Sequence, residues 1–117
     1  MAISDVQQAL REFAAQRDWE QFHTPKNLVM ALAAEVGELV DIFQWLTPDE
    51  SMTVLSEAGR AEHVRDEIAD VFGYLLRLCD VLGVDRESAI FDKIIKNAVK
   101  YPPESSKGSA AKYTDLL

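Results

Sequence analysis

The chain has 117 residues, 48% hydrophobic and 27% charged, with a formal net charge of −8. A chain of this length can bury one compact core, and its composition is that of an ordinary globular protein. The acidic balance excludes a surface that wraps duplex nucleic acid, which needs clustered Lys and Arg. It leaves room for a small phosphorylated ligand, because a bound divalent cation inverts the local field. Cys79 is the single cysteine, so no intrachain disulfide forms, and a reducing, cytoplasmic setting fits. The longest apolar run, Leu28 to Ala34, is far short of the ~20 residues of a membrane span. Asp5, Arg11 and Glu12 interrupt the N-terminus before a signal core could form. Neither a nucleic-acid polymer nor a membrane is expected as a partner.

In chain order, apolar spacing predicts four helices. The first spans about Asp5 to Phe22, with Val6, Leu10, Phe13 and Ala14 as its stripe; Ser4 with Gln7 resembles a capping box. The second begins at Pro25 behind Thr24 as N-cap and runs to about Leu46, where Pro48 stops it. Met52 to Gly59 reads as a short helix or an ordered loop. The third runs from about Ala61 to Leu82, with Gly83 as its stop. The fourth follows Asp85 as N-cap and ends at Tyr101, before Pro102-Pro103. Period-two patterns and Asn-Gly or Asp-Gly turns are absent from the sequence. The expected fold is all-α, a four-helix-bundle-like protomer. Residues 1–101 form one helical domain and 102–117 a flexible polar tail, from which Tyr113 and Leu116 could still dock.

The second helix poses the chemical question. Leu28, Leu32, Glu35, Leu39, Ile42 and Leu46 follow a 4-3-4-3-4 spacing, a heptad-like seam that should face other helices. Glu35 sits inside it. Glu38 lies one turn on and about 60° round, and Asp41 continues towards solvent. On the third helix, Val64, Ile68, Val71, Leu75, Leu78 and Leu82 make a second seam of that spacing, with Glu67, Asp70 and Tyr74 as a polar line on its flank. "EVGELV" and "EIADVF" share one pattern: acid, apolar, small, acid, apolar, apolar. Four carboxylates on neighbouring faces repel, and burying them unpaired is costly. Between Lys26 and its end the second helix has no basic residue; the third offers Arg65 and Arg77 on either side of its acids. A hard divalent cation such as Mg²⁺ resolves the conflict, taking oxygen ligands and pairing carboxylates with phosphates. The opposing reading is a solvated acidic stripe; two matching pairs, one interrupting an apolar seam, weigh against it.

Lys93, Asn97 and Lys100 share one face of the fourth helix, suited to phosphate oxygens. Alone, that face is an ordinary solvated one. Trp19, Phe22 and Trp45 are core aromatics by default, or the walls of a slot for a planar base. Glu20 and His23 form a single E-x-x-H; a di-iron bundle needs two facing each other, and His63 has Arg60 three residues before it. No nucleophile elbow, phosphate loop or dinucleotide fingerprint is present.

The stretches "RDWEQFHTPKNL", "EVGELVDIFQW", "DEIADVFGYL", "KIIKNAVKYP" and "KYTDL" together resemble the MazG-like all-α nucleoside triphosphate pyrophosphohydrolases, in particular the dCTP pyrophosphatase branch. The segment Thr47 to Glu62 departs from the family pattern. The resemblance implies Mg²⁺-dependent cleavage of a dNTP between its α- and β-phosphates, giving a monophosphate and pyrophosphate, in a house-cleaning role. It implies Glu35, Glu38, Glu67 and Asp70 as metal ligands, with Glu38 the candidate to activate water. His23, Trp45 and Tyr74 would lie at the nucleoside end, and Lys93 and Asn97 would hold phosphates. Family members form homo-oligomers, commonly tetramers, with sites at subunit contacts. The rival expectation is a non-catalytic helical dimerisation or regulatory module with a degenerate metal site.

Overall fold

The computed structural model describes residues 1–115; Leu116, named above as a docking residue, lies outside them. The described chain is helical, with no strand among the described residues. It divides into two compact units, Met1–Gly83 and Val84–Leu117. The first holds α1 (Ile3–Gln16), α2 (Pro25–Phe43), the one-turn α3 (Pro48–Ser51) and α4 (Ala58–Leu82), with 3₁₀ turns at Glu20–Phe22 and Val54–Ser56. The second holds α5 (Arg86–Lys100), the one-turn α6 (Pro103–Ser106) and a 3₁₀ turn at Tyr113–Asp115.

The helix ends follow capping chemistry. The Thr24 hydroxyl accepts from the Asn27 N–H at 3.2 Å, with Pro25 at the first helical position. Asp85 caps α5 by accepting from the Glu87 and Ser88 N–H groups, each at 3.1 Å. Gly83 ends α4 at φ 70°, a left-handed conformation in which a Cβ would be strained. Two expectations give way. α1 stops at Gln16 rather than Phe22, because Asp18 turns to φ 54° and the Trp19 N–H returns to the Ala14 carbonyl. Its start is not a Ser4–Gln7 box: the Asp5 carboxylate accepts from the Ala2 N–H at 2.9 Å, and Gln7 donates to the Leu76 carbonyl of α4 at 3.3 Å. α2 ends at Phe43; Thr47 and Glu50 then form a capping box that starts α3.

In the first unit α2 packs antiparallel on α4, and α1 lies against α4. The predicted α2 seam is the one observed: Leu28 is 1% exposed and Leu32, Glu35, Leu39, Ile42 and Leu46 are half-buried, whereas Val29, Met30, Val36 and Val40 face outward. Burying a leucine of this kind stabilises the fold by roughly 1.5–3 kcal/mol. On α4 half of the predicted seam holds: Val64, Val71 and Leu78 are buried or half-buried, but Ile68, Leu75 and Leu82 are exposed, as is Phe72. Ala61, Glu67, Tyr74 and Leu76 turn inward in their place. Both faces of α4 are apolar, so its own period does not say which one meets α2. Gly37, in the middle of α2, faces open space: a Cβ there would meet nothing within 4 Å.

In the second unit, α5 has no buried residue. Tyr113 comes back onto Tyr101 edge-on, with ring centroids 6.1 Å apart, and the Lys100 ammonium lies 5.1 Å from the Tyr113 centroid. Tyr113, named above as a docking residue, makes these contacts from within the tail.

Candidate functional site

Because Glu67 occupies the inward line of α4, it meets Glu35, the one acid in the α2 seam. Glu38, a turn further along α2, completes the group: each of the three offers a carboxylate oxygen, and all three oxygens lie within 4.8 Å of one another. Glu67 is only 6% exposed. Glu35 Oε2 and Glu67 Oε2 are buried without a hydrogen-bond partner. Such orphaned anionic oxygens are costly to keep. His63 Nε2 stands 3.6 Å from the other Glu67 oxygen but is itself largely exposed. The Glu67 carboxyl is pushed up to about 7, first by the hydrogen bond that its protonated form shares with Glu35, then by burial and by the neighbouring Glu38.

The donor set fits a hard divalent cation. Oxygens bound to one ion at ~2.1 Å lie ~3–4 Å apart, within the spread seen here. A cation would also supply the partner that the two buried oxygens lack. Arg77, considered above as a charge flanking the acids, is engaged elsewhere. Asp41 is exposed and takes a 3.4 Å hydrogen bond from Gln44.

Asp70 follows Glu67 by one turn of α4 and is not among the three clustered acids. It lines a neighbouring cleft of about 210 Å³ together with Leu10, Phe13, Trp19, His23, Tyr74 and Arg77. Glu67, Asp70, Tyr74 and Arg77 succeed one another turn by turn, so α4 leads from the carboxylates into the cleft. Phe13 and Trp19 meet edge-to-face at 5.7 Å on one wall. The mixture of aromatic walls and a few polar groups suits a planar ring. His23 is half-buried, and its Nδ1 accepts from Arg77 Nε at 3.1 Å. Burial, and then the Arg77 charge, hold its pKa below the usual histidine value, against the opposing pull of Glu20.

Of the nine residues proposed from sequence, the structure brings Glu35, Glu38 and Glu67 together, and His23, Asp70 and Tyr74 together beside them. It does not bring Trp45 to His23. α2 has 19 residues, so its ends lie ~28 Å apart at ~1.5 Å per residue; His23 precedes one end and Trp45 follows the other. Trp45 is 85% exposed. Lys93 and Asn97 are exposed on α5, in the second unit. Sequence reasoning missed Leu10 and Phe13 as cleft walls, and Arg77 with its partner Asp80. The signal was present: Arg77 and Asp80 interrupt an otherwise apolar run from Leu75 to Leu82.

Residues 30–116 match the model of the MazG-like family. The chain is 42% identical to dCTP pyrophosphatase 1 of Rattus norvegicus over 114 residues, 97% of this chain and 67% of that one. Against dCTP pyrophosphatase 1 of Homo sapiens it is 40% identical over the same shares. Among solved structures it is similar to a pyrophosphatase from Archaeoglobus fulgidus, with a TM-score of 0.79 and 44% identity, covering 86% of this chain and 92% of the other.

Proposed function

The chain belongs to the MazG-like family, and from that premise we propose that it is a nucleotide pyrophosphohydrolase. It cleaves dNTPs, with dCTP-like substrates favoured, to the monophosphate and pyrophosphate, in a cytoplasmic house-cleaning role. The observation that carries this reading is the carboxylate trio with its two buried, unpartnered oxygens, set beside an aromatic cleft. The relatives named dCTP pyrophosphatase support the substrate class.

Glu35, Glu38 and Glu67, with Asp70 a turn away, are the groups that would hold Mg²⁺. A bound divalent cation supplies charge neutralisation to the phosphate oxygens as the anhydride breaks. Glu35 and Glu67 are fixed by the α2–α4 seam, so the ligand oxygens are positioned before substrate arrives. Glu38 is exposed and suits the remaining task, orienting a water and accepting its proton as it attacks phosphorus. The cleft of Phe13, Trp19, His23 and Tyr74 receives the base and excludes water from one face of it. Lys93 and Asn97 carry an ammonium and an amide suited to phosphate oxygens.

A four-helix-bundle-like domain of residues 1–101, assembled as a homo-oligomer, completes this reading. Two observations support assembly. Ile68, Phe72 and Leu75 make an exposed apolar stripe on α4, and Ile90, Phe91, Ile94, Ile95 and Val99 crowd exposed on α5; surfaces of this kind are normally covered. Trp45 cannot reach the His23 cleft of its own chain, so a second copy would supply it.

Incubation with a panel of dNTPs and Mg²⁺, followed by ³¹P NMR, tests the activity. Monophosphate and pyrophosphate are expected, fastest from dCTP. Orthophosphate with a diphosphate product would overturn the assigned bond, and no release from any nucleotide would overturn the enzyme.

A further inference from the structure

At one wall of the cleft, His23 and Arg77 belong to a chain of polar contacts whose other members, Asp80 and Arg11, the proposed chemistry does not use. Arg11 Nη1 of α1 reaches Asp80 Oδ1 of α4 at 2.6 Å. The other oxygen of Asp80 takes a 3.2 Å bond from Arg77 Nη1. Arg77 in turn donates through Nε to His23 Nδ1. The Arg77 side chain is 11% exposed and that of Asp80 21%. A buried guanidinium held at two points is confined in position as well as in charge.

A guanidinium can only donate. The histidine nitrogen that meets it must therefore present its lone pair, and a neutral imidazole with an unprotonated Nδ1 carries its proton on Nε2. We propose that Arg77 is a positioning residue that fixes His23 as the Nε2–H tautomer, anchored by Asp80 and, through it, by Arg11. His23 then has one N–H to give to a ring in the cleft, and the ring must bring an acceptor to it, such as a pyrimidine carbonyl or ring nitrogen. Two opposite charges on one α4 turn, tied to α1, thereby set the hydrogen-bond polarity of a residue in the loop before α2. The ligand half of this inference rests on the cleft being the base site; the tautomer half does not.

The test separates the two. In protein carrying ¹⁵N-labelled histidine, His23 and His63 are assigned with a His63→Gln variant, and multiple-bond ¹H–¹⁵N spectra are recorded at pH 7.5. Wild-type His23 should show a protonated Nε2 and a bare Nδ1. Arg77→Met, which keeps most of the side-chain volume, should give a mixture of tautomers. Its KM for dCTP should rise about tenfold while kcat stays within about twofold, the loss expected for one hydrogen bond of ~1.4 kcal/mol. Asp80→Asn, which loosens the anchor and leaves Arg77 in place, should shift both readouts in the same direction by less, and decides the matter if Arg77→Met does not fold. A single Nε2–H tautomer surviving in the variant that folds would overturn the inference, as would a fall in kcat at unchanged KM. If the wild type hydrolyses no dNTP, the proposed function falls and the spectra still decide the role of Arg77.

Discussion

Glu67 is where burial and charge meet most sharply. Its folded pKa of about 7 is above the ordinary carboxylate value, so between those two values the folded protein holds a proton that the unfolded chain has released. The stability from that proton is fully present at low pH and is lost as pH rises through about 7. In EDTA, the Tm of the wild type should therefore fall more steeply between pH 5 and pH 8 than that of Glu67→Gln. Mg²⁺ should raise the wild-type Tm more at pH 8 than at pH 6, because the ion competes with the proton. Parallel Tm profiles for the two proteins would show that the buried carboxyl does not titrate as described. Glu38, exposed in the same cluster, is expected to matter for turnover instead. Glu38→Gln should lower kcat by about a hundredfold or more with little change in Tm, the usual range for a lost general base. Near-wild-type turnover at saturating Mg²⁺ would remove Glu38 from that role.

The elements are set by short-range chemistry. Thr24 and Asp85 accept the orphan N–H groups of α2 and α5, and Gly83 supplies the left-handed residue after α4; all three were legible because a cap involves only its neighbours in sequence. Thr24→Ala should destabilise the fold by about 1 kcal/mol, read as a lower midpoint in urea. The end of α1 was not legible. "AAQRDWEQF" is good helical sequence, and the bend at Asp18 exists because Trp19 turns back onto Phe13. Gly37 sits mid-helix in open space, so Gly37→Ala should raise stability by about 0.5–1 kcal/mol. A loss of stability together with altered sedimentation would instead put the Gly37 face against a second copy.

At the scale of the whole molecule, the distance along α2 is the decisive quantity. A site that uses both His23 and Trp45 cannot be closed by one chain. Glu38→Gln and Trp45→Ala chains, each weakly active, should regain activity when unfolded together and refolded in equal amounts. About a quarter of the sites would then combine an intact Glu38 with a partner's intact Trp45, the statistical result for sites shared across a two-fold contact. Activity equal to the average of the two separate variants would place Trp45 outside a shared site. Across the length of the chain, no helix among the described residues is long and apolar enough to cross a membrane.

The amino-acid sequence by itself determined the helices, most of their ends, the α2 seam with Glu35 inside it, and the matched acids of α2 and α4. Each of these rests on period or on neighbours within a turn or two. Tertiary structure decided which face of α4 turns inward. Val64, Val71 and Leu78 compete with Ile68, Phe72 and Leu75 on a helix that is apolar on both sides, and only the surface of α2 breaks that tie. In doing so it carried Glu67 from the flank into the seam against Glu35. It also gave Arg77 a histidine 54 residues away in the chain. A charge inside an apolar run marks a buried partner, but one helix's own period cannot say on which other element that partner sits.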